Sequence, residues 1–405
     1  MVYLQSLPRR ELEALLYEWN LTPQRRDESD EAWEKRRKRV AALRARQVFT
    51  WFYKRLVVDY DQMTDLSKEL REVLKERLPI YRLEKHVEQQ SQDGTYKFLW
   101  KLQDQRTIES VIIPAALTQA EEVGETPRDS HYAGRKVRGA GLTRSNWKRL
   151  TACISSQVGC AMACRFCLTG VQGLDRNLQT HEIVTQILEL RLRAPVTNIV
   201  FMGMGEPLHN FENVVKAIEI FLDEIGFDFS KRKVTVSTSG LVPKIRELSE
   251  RVDVSLAISL NGSNDEQREK VMPVNKRWPI AELLQACREY SGSQYRRITF
   301  EYVMLKDIND SLEDAARVVK LLRGIPAKVN LIPFNEHPGA DFKRAPDERV
   351  KAFQKYLLDR ELFASVRVSR GRDILAACGQ LRSLFGTARG TEKHRDFVKS
   401  ESSQA

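Results

Sequence analysis

The sequence predicts an α/β chain, a partial (β/α)6 barrel with an N-terminal helical accessory domain and a short antiparallel β segment, and three observations carry that prediction. After residue 149, strand-like runs alternate with helical ones six times, which implies a parallel sheet wound with right-handed crossovers. Before residue 95, apolar residues recur at helical spacing, the mark of amphipathic helices. Between the two, from Tyr96 to Pro114, apolar alternation takes over behind Asp93-Gly94, a dipeptide suited to a tight hairpin turn.

In chain order, Leu12, Leu15, Leu16 and Trp19 share one helical face, and Val48, Phe49, Phe52 and Leu56 share another, so residues 1–95 read as a small helical domain. Residues 22–43 are dense in charge and read as a solvated helix or loop. Residues 96–114 form the β extension. Residues 115–148 then mix Gly, Thr, Ser, Arg and Lys without periodicity, and a flexible insertion is expected at 115–145. The barrel is set at 146–371, with strands at 150–155, 197–202, 233–237, 254–260, 298–304 and 328–332; its helices are exemplified by Val214, Val215, Ile218, Phe221, Leu222 and Ile225 at helical spacing. A C-terminal segment, 372–405, completes the chain.

Composition narrows the function classes. Lys plus Arg number 66 against 55 Asp plus Glu, for a net charge of +11 and a pI near 9.3, with basic clusters at Lys35–Arg39, Arg135–Arg138, Lys148-Arg149 and Lys231–Lys233. Such an excess favours a polyanionic partner, most commonly nucleic acid. The six cysteines do not resemble a disulfide framework, no charged-then-apolar leader opens the chain, and no apolar run approaches a membrane span. A cytoplasmic enzyme in a reducing compartment is expected, with no membrane association.

The chemistry is written in the cysteines. Cys160, Cys164 and Cys167 form a C-x3-C-x2-C triplet with Phe166 directly before the last thiol. Three thiolates hold three irons of a 4Fe-4S cluster and leave the fourth iron open to a ligand that is not protein. A zinc site is the competing reading; zinc would want a fourth Cys or His, and the histidine nearest in sequence is His181. Cys287 falls on the apolar stripe of Ile280, Leu283 and Leu284 and reads as a packing thiol. Cys378, beside a glycine just past the barrel, and Cys153, at the exit of the first strand, are left as either buried hydrophobes or thiols presented to a site.

Other candidates stand at the C-terminal ends of the strands, where parallel α/β sheets place their active sites. Gly203-Met204-Gly205-Glu206-Pro207 ends the second strand: the glycines admit a ligand close to the backbone, and the carboxylate suits an ammonium group. Ser237 ends the third strand, Ser259-Leu260-Asn261 the fourth, and Asn335 follows the sixth. Each offers a polar group for a nucleoside or carboxylate, and each also suits a simple turn.

The triplet with its aromatic residue is the signature of radical S-adenosylmethionine (SAM) enzymes, and the chain resembles one family of them, the RlmN/Cfr class of RNA methyltransferases, through six collinear motifs. They are Gln47 to Trp51, Asp61 to Ser67, Ser155 to Cys160, Gly203 to Pro207, Leu331 to Asn335 and Ala376 to Gln380, covering most of residues 46–382. The resemblance implies a radical SAM barrel in which the open iron chelates SAM and an electron from the cluster cleaves it to a 5′-deoxyadenosyl radical. It gives Cys378 the role of methyl carrier, methylated by one SAM; the radical from a second then takes a hydrogen from that methyl, and the resulting methylene adds to adenine C2 as a protein-RNA crosslink. Glu109, in Thr107 to Val111, matches the proton acceptor, and Cys153 matches the thiol that forms a transient disulfide with Cys378 and releases the RNA. Gly205, Glu206, Ser237, Ser259, Leu260, Asn261 and Asn335 occupy SAM-contact positions, and residues 1–95 the accessory RNA-binding domain.

The implied substrates are adenine 2503 of 23S rRNA and adenine 37 of tRNAs, with an external one-electron reductant such as flavodoxin and a monomeric protein. Where many members carry Ser-Leu-His, this chain has Ser259-Leu260-Asn261, and segment 115–148 is longer than usual. A Cfr-type C8 methyltransferase is the alternative within the family; Gly170 to Leu174 resembles the C2 branch. A non-catalytic RNA-binding metal protein is the alternative outside it.

Overall fold

Residues 2–116, 147–294, 297–337 and 340–381 are described by the computed structural model; the body of the expected insertion, the cluster Arg135–Arg138 and the basic tail lie outside them. Three helices open the chain: α1 (Arg9–Glu18), α2 (Asp30–Phe49) and α3 (Lys68–Arg77). Ser29 and Ser67 cap the second and third by accepting from Ala32 N and Leu70 N, which settles the charged segment 22–43 as loop followed by helix. These helices share one continuous hydrophobic core with the rest of the chain. Arg9 pairs with Asp223 at 2.8 Å, and Phe49 and Tyr53 pack toward Phe227.

Three antiparallel strands follow, β1 (Glu84–Gln90), β2 (Tyr96–Lys101) and β3 (Thr107–Ala116). The first corrects the reading of residues 1–95 as wholly helical. Its seven residues are all exposed, so no apolar alternation marks it, and it is held by its main-chain ladder to β2. The β extension is also no separate sheet, because β3 pairs antiparallel with β4 (Trp147–Cys153) and joins the barrel strands.

The parallel part runs β4, β7 (Asn198–Phe201), β8 (Val234–Thr238), β9 (Ser255–Ser259), β10 (Ile298–Met304), β11 (Ala327–Pro333) and β12 (Ala364–Val366). Its six longer strands overlap the six expected ones, and β12 adds a short seventh. Sheet order is β1-β2-β3-β4-β7-β8-β9-β10-β11-β12, ten strands with open edges. A second sheet pairs β5 (Gln157–Gly159) with β6 (Leu174–Asn177) around the cysteine loop. The helices between strands are α4 (Leu168–Gln172), α5 (Thr180–Arg191), α6 (Phe211–Leu222), α7 (Val242–Arg251), α8 (Asp265–Val271), α9 (Ile280–Gln294), α10 (Leu312–Leu322) and α11 (Asp347–Leu358). Cys287 is fully buried on α9 among core side chains, where it packs as a small hydrophobe.

Candidate active site

Cys160, Cys164 and Cys167 lie on the loop between β5 and α4, all free and only half-buried as residues. Gly159 makes the entry: at φ +78 it sits against the Gly173 carbonyl, where a Cβ would collide, and Cys160 N donates to the same carbonyl at 2.9 Å. Each cysteine lies in the field of another, Cys164 in that of both, and burial pushes the Cys160 thiol up to about 12. Thiols held this deep stay protonated until a metal displaces the proton. Among the described residues no three His, Cys, Asp or Glu side chains converge as ligands of a single ion. Three free thiols on one short loop are soft donors of the kind an iron-sulfur cluster takes.

The barrel mouth beside this loop is built from strand tips. Gly203 and Gly205 are required by close approach, since Cβ atoms there would fall 2.6 Å from the Ile154 backbone and 2.5 Å from Gln157 Cβ. Ser155 ties the turn together: its Oγ donates to Glu109 O at 2.6 Å and accepts from Met204 N at 2.9 Å. Gln157 accepts from Glu206 N at 2.8 Å. Glu206 is buried; its carboxylate accepts from Leu208 N and Ser239 N at 3.1 and 2.8 Å, and burial still holds its pKa above the ordinary carboxylate value. An arriving ammonium group would favour its charged form.

Ser237 and Ser259 stand at the ends of β8 and β9, half-buried, with Leu260 fully buried next to them. Asn261 (φ +50) uses its side chain within the fold, accepting from Val303 N at 2.8 Å and pointing its amide at Met272 Sδ. Asn335 donates to Cys378 O at 3.3 Å, and its buried Oδ1 has no protein partner. Such an orphaned acceptor at the mouth suits a polar ligand.

Cys378 reaches this mouth because its segment is stitched to the cluster helix. Leu168 N donates to Gly379 O at 2.8 Å, Thr169 Oγ1 to Leu381 O at 2.6 Å, and Gln380 Nε2 to Glu336 O at 3.1 Å. Cys378 and Cys153 lie in each other's field. Arg367 joins them: its guanidinium hydrogen-bonds the Cys378 side chain, faces Cys153 and Glu301, and lines one small cavity with Cys378, Asn335, Ile113 and Ile332. Glu301 in turn accepts from Asn330 Nδ2 at 2.9 Å. Glu109 is buried on β3 and pairs with Lys97 Nζ at 3.3 Å.

Arg367, Glu301, Lys97 and Arg268 were not legible as site residues. Arg268 is completely buried, and burial lowers its pKa to about 10. It binds the carbonyls of Ser239, Ser259 and Leu260 and Asn275 Oδ1, clamping two strand tips that carry SAM-contact candidates. A lone arginine in a helical run reads as surface; only a buried glycine-lined turn beside it, Ser239-Gly240, hints otherwise. Arg268→Ala orphans these acceptors and is expected to lower stability by about 3 kcal/mol or more, read as a shift in denaturant midpoint.

Residues 154–319 match the Radical SAM superfamily model and residues 39–80 the Ribosomal RNA large subunit methyltransferase N-terminal domain model. The Dual-specificity RNA methyltransferase RlmN of Syntrophotalea carbinolica is 48% identical over 89% of this chain and 90% of its own length. RlmN 2 of Myxococcus xanthus is 48% identical over 87% of each. A crystal structure of a radical SAM methyltransferase from Sphaerobacter thermophilus superimposes with a TM-score of 0.77 at 40% identity, over 94% of this chain and 99% of that one. The glycine-lined turn, the cysteine loop, the second pair of neighbouring thiols and these relatives together place the chain in the RlmN family of radical SAM RNA methyltransferases.

Proposed function

We propose that this protein methylates carbon C2 of adenine in RNA, at position 2503 of 23S rRNA and position 37 of tRNAs, with Cys378 as methyl carrier. The observation that carries the reading is that Cys378 and Cys153 lie within electrostatic reach of one another and of Arg367, a second thiol pair that SAM cleavage alone does not need. A bound 4Fe-4S cluster and SAM would supply a carbon-centred radical and the methyl group. Cys160, Cys164 and Cys167 would hold the cluster, while Gly205, Glu206, Ser237, Ser259, Leu260, Asn261 and Asn335 would hold SAM.

Adenine C2 is electrophilic and does not attack a sulfonium methyl, so the carbon is carried on sulfur first. In this reading Cys378 presents a one-carbon unit as a thioether, and its bond to adenine C2 ties RNA to protein. Glu109 accepts the proton from the adenine carbon, and the unpaired electron left by the radical addition passes to a one-electron acceptor, which leaves a closed-shell thioether. Cys153 then attacks the Cys378 sulfur as a thiolate: the new S–S bond forms as the carbon–sulfur bond breaks, its electron pair passes to the one-carbon unit and the base, that carbon takes up a proton to become the methyl group, and methylated RNA leaves. The disulfide is a two-electron oxidation, which an external reductant reverses, and a flavodoxin-type donor fits both this and the cluster's electron.

Dual-specificity names among the relatives support both RNA classes. The basic run Lys35–Arg39 on α2 supports residues 1–95 as the RNA-holding part, and a monomer in the cytoplasm is proposed. No described helix is long and apolar enough to cross a membrane. Mass spectrometry of nucleosides from treated rRNA and tRNA tests the assignment. We expect 2-methyladenosine from both, whereas 8-methyladenosine in its place would select the Cfr-type reaction.

A further inference from the structure

We propose that Lys97 is a positioning residue for the proton transfer, holding Glu109 ionised and fixed in place until the adenine carbon presents its hydrogen. The inference rests on Glu109 being the proton acceptor and adds what makes it competent. Register on the sheet puts Lys97 opposite Val111, Leu99 opposite Glu109 and Val111 opposite Cys153. Side chains alternate along a strand, so Lys97, Glu109 and Val111 share the face of Cys153. Ser110 and Ile112 take the other face, where Ser110 Oγ donates to Gln186 on α5 at 2.8 Å. The ion pair therefore lies on the face that carries the transient thiol, away from the covering helix.

Both partners are withdrawn from water: the Lys97 and Glu109 side chains are 11% and 7% exposed, with Nζ to Oε1 at 3.3 Å. A carboxyl group this buried takes up a proton unless a cation opposes the cost of its charge, and a protonated carboxyl accepts nothing. The titratable and charged groups around this face are Lys97 on β2, Cys153 on β4 and, from the C-terminal side, Cys378 and Arg367, whose charge is directed to the two thiols and Glu301. Lys97 is a cation the structure sets directly on Glu109. In the step itself the adenine C–H bond breaks, its electron pair stays on the base, and the proton goes to the Glu109 carboxylate. The unpaired electron that the radical addition leaves on the adduct passes to a one-electron acceptor as the ring regains its aromaticity, and Lys97 itself transfers neither proton nor electron.

The test uses anaerobically reconstituted full-length enzyme with SAM, reductant and RNA, quenched at intervals between pH 6 and 9. Denaturing gels read the protein-RNA adduct, nucleoside analysis reads product, and intact mass reads the methyl on Cys378. Lys97→Met removes the charge and keeps the stem. Its Glu109 pKa rises, less carboxylate is present at pH 7, and the adduct resolves about tenfold more slowly for each unit of that rise. The rate recovers as pH increases. Lys97→Arg restores both rate and profile. Lys97→Met resolving adduct at the wild-type rate with an unchanged pH profile overturns the proposal; so does a uniform slowing at every pH that arginine does not rescue. Glu109→Gln and Cys153→Ala run in parallel. If both trap adduct while Lys97→Met behaves as wild type, only the Lys97 inference fails; if neither traps adduct, the underlying reading falls with it.

Discussion

Cys378→Ala is expected to abolish methylation of RNA, lowering product formation by at least about 10^3-fold, while reductive cleavage of SAM by the reconstituted protein continues. The separation follows from the architecture. The cluster loop, the Gly203–Pro207 turn and the strand tips at Ser237 and Ser259 are assembled by β5, β7, β8 and β9, whereas Cys378 arrives on a separate segment pinned through Gly379 and Leu381. Alanine removes one sulfur and leaves those pins, which are main-chain carbonyls, in place. Intact mass should show no methyl on the variant, and nucleoside analysis no methyladenosine. A variant that still methylates RNA would remove Cys378 from the reaction. A non-catalytic RNA-binding protein would be indifferent to the change in every assay.

The second large effect is expected from Cys153→Ala: a covalent protein-RNA adduct that accumulates toward one per protein and survives denaturation. Cys153 is buried at the end of β4, and burial pushes its thiol up to about 12, with Arg367 pulling against that rise. The sulfur is thus inert except toward what is brought to it, and Cys378 is what faces it. Without Cys153 the carbon–sulfur bond to RNA has nothing to displace it. Nuclease digestion followed by mass spectrometry should find the remnant nucleotide on the Cys378 peptide. Normal turnover by the variant, with no adduct, would assign resolution to another group.

The strand tips, the cysteine loop and the glycine-lined turn were legible in the sequence because local spacing and local backbone geometry encode them. Six parallel strands could be read because each is a short apolar run followed by helical periodicity. β1 could not, since Glu84 to Gln90 is exposed on every residue and carries no pattern. The groups that tune the site were hidden for a related reason. Arg268, Arg367, Glu301 and Lys97 are charged residues in runs that look like solvated surface, and each acquires its role only from partners far along the chain, as Lys97 does from Glu109. Asn261 has a second, internal task that its position did not show, since its side chain bridges Val303 N and Met272.

The pairing of β3 with β4 has a consequence for how such a protein can change. Ala116 and Trp147 are cross-strand partners, so whatever connects them starts and finishes at one closed point. Lengthening a connection already closed costs only about 0.6 kcal/mol per doubling. Glu109 and Cys153 lie further down the same ladder, with Val111 directly across from Cys153. The junction works as a port: connections of different length can be plugged in there without retuning the chemistry a few residues away.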